Sequence, residues 1–142
     1  MISNRDIRGE LIELLDKPHH INYITIKKGY ARGGHSHDYS EMFLLVEGTV
    51  EFIEPEKIIR MIHGDSVVTK PNVPHCIYST EDAVLVEVRD AGIKFKANED
   101  PKLRAFVEFM KSYPNVEDPV CYVCGERHPW KKCQLSSRTS DK

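Results

Sequence analysis

An all-β fold, two sheets closed into a barrel or jelly roll, is what this chain of 142 residues predicts. Three observations carry that expectation. Eight or nine short runs with strand character recur between Arg8 and Val88. Gly, Pro and Asn mark the turns between them at regular spacing. Helical periodicity enters only later, over Asp100 to Tyr113.

In order, Arg8 to Leu15 is a short strand entered through Gly9, and Asp16-Lys17-Pro18 turns the chain. Ile21 to Lys27 alternates and is rich in β-branched residues, as a strand requires. Lys28-Gly29 leads into a His-rich segment, and Met42 to Val46 reads as a buried strand ending at the Glu47-Gly48 turn. Thr49 to Ile53 is expected to pair back on that run as a hairpin. Ile58 to Ile62 and Ser66 to Thr69 follow, and the Pro71 to Pro74 bend delivers His75. Cys76 to Tyr78 and Ala83 to Val88 complete the strands. Asp100 is the N-cap of the helix, with Pro101 at its first position. Leu103, Phe106, Val107 and Met110 form its apolar stripe, which packs on the barrel or on a second copy. The resulting division is residues 1–98 as barrel, 99–113 as helix and 114–142 as linker, metal-binding tail and disordered end.

The balance of 20 Lys+Arg against 22 Asp+Glu gives a net charge of −2. That offers no global case for nucleic acid or an acidic membrane surface. No stretch approaches a membrane span, and the first fifteen residues lack a signal-peptide core, so a cytoplasmic protein is expected. Reduced cysteines are then available as metal ligands.

The chemistry concentrates in Gly29 to Gly48. His35 and His37 are one residue apart, so on an extended strand they share a face. Glu41 lies an even number of residues from both. Two imidazoles and a carboxylate converging inside β-structure make half a metal site. His75 arrives after a rigid bend.

Gly29 to Gly48 resembles the first motif of the cupin family, Gly-x5-His-x-His-x3-Glu-x6-Gly, at every position. Fifteen residues later, Gly64 to Ser79 resembles the second motif, with Gly64 and His75 in place. Lys70, Asn72 and Ser79 depart from it, and Asn72 is tolerable because Asn enters left-handed backbone conformations readily. The resemblance implies a double-stranded β-helix with His35, His37, Glu41 and His75 as ligands of one divalent Fe, Mn, Ni, Co or Zn ion, and Glu41 and His75 as catalytic residues. Arg8 to Leu15 and Arg32 to His37 look like the sugar-nucleotide cupins, whose arginine before the His segment contacts phosphate. Here that is Arg32, with a solvated loop residue as the alternative. The implied activity is isomerisation of a sugar or sugar nucleotide. Dioxygenase chemistry or a non-catalytic sensor are the alternatives, and a homodimer is expected.

The tail carries Cys121-x2-Cys124-x3-His128-x4-Cys133, a Cys3His set within thirteen residues. Such a set reads as structural zinc. It resembles a zinc knuckle, one residue short before the histidine. Trp130, Arg127, Lys131 and Lys132 could stack and pair with single-stranded nucleic acid. A structural clip is the preferred reading, and a Cys121–Cys124 disulfide is a further alternative.

Overall fold

The computed structural model describes residues 3–90, 97–121, 124, 126–128 and 140–141. In chain order the elements are β1 (Ser3–Asp6), β2 (Gly9–Leu15), β3 (His19–Ile26), β4 (Ala31–Ser36), β5 (Met42–Glu47), β6 (Thr49–Glu54) and β7 (Lys57–Ile62). There follow β8 (Ser66–Val68), β9 (His75–Ser79), β10 (Ala83–Asp90), β11 (Asn98–Glu99), helix α1 (Pro101–Ser112) and β12 (Ser140–Asp141). They form two six-stranded sheets, β1-β2-β3-β10-β5-β8 and β11-β4-β9-β6-β7-β12.

The period of two decides the core. Ile24, Ile26, Phe43, Leu45 and Leu85 face inward from the first sheet. Val50, Phe52, Met61 and Ile77 meet them from the second. The outer face of the second sheet is covered by α1, where Leu103, Phe106, Val107 and Met110 pack on Ala31, Ile53, Ile58 and Cys76. Cys76 therefore sits in this outer layer as a small apolar residue, with no exposure. Helix α1 starts as its sequence requires: the Asp100 carboxylate accepts from the backbone N–H of Lys102 (3.1 Å) and Leu103 (3.0 Å).

Four expectations change. Met42 to Val46 is not buried on both faces, because Met42 and Val46 point outward and are 37% and 50% exposed. The outer face of the first sheet, unlike that of the second, has no described element packed on it. Thr49 to Glu54 does not pair with Met42 to Glu47 either. β5 lies between β10 and β8, whereas β6 lies between β9 and β7. Gly48 is the crossing point between sheets: its φ is +88°, and a Cβ there would lie 2.2 Å from the Asp82 carbonyl oxygen.

The third change is an added strand. Ser3–Asp6 pairs with β2, and the connecting turn is held by Asp6 Oδ1 accepting from Arg8 N–H at 2.8 Å. The polar composition of this segment hid it. Lastly, Ser140–Asp141, read as part of a disordered end, pairs in parallel with Ile59–Arg60. β7 offers an edge of unpaired backbone groups, so even two residues can add to it. Among the described residues, no helix is long and apolar enough to cross a membrane.

The α1–sheet contact yields a stability prediction. Leu103 is 1% exposed, so Leu103→Ala should cost about 3 kcal/mol in urea unfolding. A cost below about 1 kcal/mol would mean that α1 is not part of the cooperative core.

Candidate metal centre

The site begins with an irregularity in β4. Arg32 and His35 are three residues apart, which on a regular strand would point them to opposite faces. The pairing of β4 with β9 shifts register between Gly33 and His35. Gly33 has φ +104°, and a Cβ there would lie 2.9 Å from the His75 carbonyl oxygen. That bulge turns both Arg32 and His35 into the barrel.

His35 pairs directly with His75 across the two strands. His37 follows the end of β4, and its carbonyl accepts from the Asn72 N–H at 2.6 Å. Asn72 holds φ +64°, the left-handed conformation anticipated for it. Glu41 is held by its backbone: its N–H donates to Thr69 Oγ1 and its carbonyl accepts from Thr69 N–H, both at 2.8 Å. Two strand ends and two loops thus converge on one point.

There, one ring nitrogen from each of His35, His37 and His75 lies within 4.8 Å of the other two. Ring centroids are 4.7 Å apart for His35–His37, 5.7 Å for His35–His75 and 5.6 Å for His37–His75. Glu41 stands beside this trio: Oε1 lies 3.1 Å from His37 Nε2, but the carboxylate is not within 4.8 Å of all three imidazoles. Burial, reinforced by His37 and His75, pushes the His35 imidazole down to about 4. Burial also lowers His75. His35 and His75 are thereby held toward the neutral form, the state in which imidazole ligates a metal. Burial alone would raise the Glu41 carboxyl, but His37 beside it outweighs that and holds it below the usual carboxylate range. The donor set fits a divalent transition ion.

The three imidazoles open on a cavity of about 250 Å³. Ile24, Phe43 and Ile77 form part of its apolar wall, and Arg32, Glu87 and Arg89 are polar members of its lining. Arg32 is thus a strand residue facing inward, not a solvated loop residue, and one of its nitrogens lies 3.8 Å from Asp6 Oδ1. Its Nε and Nη2 are buried and make no hydrogen bond among the described residues.

Glu87 and Arg89 were missed. Arg89 Nη1 lies 3.7 Å from Glu41 Oε2. Glu87 Oε1 accepts from Asn22 Nδ2 at 2.7 Å. Burial, together with the Glu41 charge, pushes the Glu87 carboxyl up to about 7. The signal was present: Ala83 and Leu85 face the core, so period two carries Glu87 and Arg89 inward as well. A larger groove of about 1040 Å³, between Lys27-Lys28, Glu47-Thr49 and Glu81-Ala83, contains none of the predicted ligands.

In the tail, ligand atoms of Cys121, Cys124 and His128 also lie within 4.8 Å of one another. Cys133, Trp130, Lys131 and Lys132 fall outside the described residues.

A family model described as a cupin domain matches residues 22–89. No curated protein matches the chain. Among solved structures, the capsular polysaccharide assembling protein CapF from Staphylococcus aureus aligns with TM-score 0.59 at 22% identity, covering 70% of this chain and 34% of that one. A cupin-like protein from Thermotoga maritima aligns with TM-score 0.58 at 17% identity, covering 68% and 85%. The salicylate 1,2-dioxygenase of Pseudoaminobacter salicylatoxidans aligns with TM-score 0.55 at 15% identity, covering 62% and 25%. This chain therefore spans about a third of CapF and a quarter of the dioxygenase. These likenesses are of fold. The cupin-domain model runs from within β3 into β10, and the two-sheet barrel over that span has the cupin fold.

Proposed function

We propose that this chain is a metal-dependent enzyme acting on a small, oxygenated, negatively charged substrate, with sugar isomerisation as the first reading. The observation that carries the proposal is the trio of half-buried His35 and buried His37 and His75, lining one cavity with Arg32 and Arg89. His35, His37 and His75 would hold the ion, with Glu41 completing the set. A divalent ion there supplies Lewis acidity, polarising a carbonyl or activating water. The residues divide the remaining work. Arg32 offers a guanidinium to a carboxylate or phosphate oxygen. Glu87, poised near neutrality, can take or give a proton at its carboxyl oxygen. Asn22 fixes the orientation of that carboxyl.

Size supports a small reacting group. At about 250 Å³ the cavity is smaller than the roughly 300–1,000 Å³ usual for drug-sized ligands. The nucleotide half of a sugar nucleotide would lie outside it. A second reading, dioxygenase-type chemistry on an aromatic or keto acid, is favoured by one observation. Leu11, Ile24, Ile26, Phe43 and Ile77 give the cavity an apolar side suited to a flat ring.

Three outcomes are expected. In a Cys124→Ser background, which removes a tail thiol, His37→Ala and His75→Ala should each reduce bound metal severely by elemental analysis while circular dichroism stays unchanged. Undiminished metal in both would refute the ligand set. Next, a ligand that binds only the folded protein adds about 2.7 kcal/mol at one hundred times its Kd. Sugar phosphates should therefore raise the Tm of the metal-loaded protein, and Arg32→Ala should shrink that shift. Shifts with aromatic hydroxy acids and none with sugars would select the second reading.

The third outcome concerns acid. The folded protein holds His35 at about 4 against 6.5 for a free histidine. Between those values the unfolded chain binds a proton that the folded chain excludes, so stability falls as pH falls through that window. The Tm of metal-free protein should drop from pH 7 to pH 4, and less steeply in His35→Gln. Parallel curves for the two proteins would contradict the burial of a neutral imidazole.

A further inference from the structure

The tail cluster is independent of the barrel cavity in both place and donor chemistry. It is built on a narrow hairpin. Val120 and Arg127 form an antiparallel bridge. Beside that bridge, Cys121 N–H donates to the Glu126 carbonyl at 2.7 Å, and His128 N–H donates to the Pro119 carbonyl at 3.1 Å. Cys121 therefore stands on one arm, His128 on the other and Cys124 at the turn between them. Cys124 Sγ lies 3.0 Å from His128 Nε2. Cys121 is fully buried.

We infer that Cys121, Cys124 and His128 form a thiolate-type zinc site that clasps the tail onto helix α1. Zinc–sulfur and zinc–nitrogen bonds of about 2.3 and 2.0 Å place tetrahedral donors about 3.6 Å apart. The three donors lie within 4.8 Å of one another, with Cys124 Sγ and His128 Nε2 at 3.0 Å, so an ion can be taken up with small side-chain movements. Sulfur and imidazole donors select zinc over the hard cations magnesium and calcium.

The clasp has a defined counterpart. Arg127, next to His128, places its guanidinium 5.1 Å from the ring centroid of Phe109 on α1. The same guanidinium donates to Asp118 Oδ1 at 3.1 Å. Fixing His128 fixes Arg127, and with it the seat of the tail on the helix that covers the second sheet. Arg127 is thereby committed within the protein, which argues for a clip over a nucleic-acid contact.

The test uses the full chain, purified under reductant, stripped of metal and titrated with cobalt(II). Tetrahedral thiolate ligation gives cobalt an intense thiolate-to-metal charge-transfer absorption that imidazole and carboxylate ligation cannot. One equivalent per chain should develop that absorption and an equimolar amount of zinc should abolish it. Cys124→Ser should lose the absorption, and His37→Ala should keep it. Zinc should also slow hydrogen exchange at the Cys121 and His128 amides at least tenfold in the unsubstituted protein, a measurement that needs no variant to fold. Absence of the thiolate absorption in reduced protein, its survival in Cys124→Ser, unchanged amide exchange or a Cys121–Cys124 disulfide in the purified protein would each overturn the inference.

Discussion

The convergence of three imidazoles between two sheets is the constraint on which this structure turns. An imidazole taken out of water must find polar partners, and three of them together exclude each other's protons. The arrangement persists because the backbone leaves no alternative. His35 and His75 are paired across β4 and β9. His37 is held through the contact of its carbonyl with Asn72. Phe52 stacks on the His75 ring with centroids 5.6 Å apart, so the core itself braces one ligand. A divalent ion would relieve the cluster by giving all three nitrogens one partner. The same backbone brings Glu41 alongside through its two bonds to Thr69.

The rest of the fold supports that arrangement asymmetrically. β4 and β9, which carry His35 and His75, belong to the sheet that α1 covers. Ala31 and Cys76 on those strands pack directly under the helix. Arg104 of α1 donates to the Gly33 carbonyl at 2.9 Å, so the helix also touches the bulge that aims Arg32 and His35. The other sheet contributes Glu87 and Arg89 from β10 and leaves part of its outer surface apolar and exposed, at Leu14, Met42, Val46 and Val68. The ligand-bearing strands are therefore the better buttressed ones, as a preorganised site requires.

Much of this was legible in residue order, because period two and turn residues are local signals. The strands from β2 to β10, the Asp100 cap and the inward positions of the histidines all follow from them. What could not be read locally were the decisions made between distant segments. Two apolar runs around Gly48 look like a hairpin, and only competition from β8 and β10 for the edges of β5 separates them. Arg32 faces the cavity because of a register shift at Gly33, which no periodicity reports. Glu87 and Arg89 occupy inward positions of an alternating strand, where charge is the exception, and only the cavity that they line accounts for them.

The central claim is that the barrel trio binds one ion, and anomalous scattering from crystals of the metal-loaded protein tests it most directly. The account predicts one anomalous peak inside the barrel, within about 2.0–2.2 Å of a ring nitrogen from each of His35, His37 and His75, with Glu41 turned toward it. A barrel without such a peak, in protein whose tail site is filled, would contradict it.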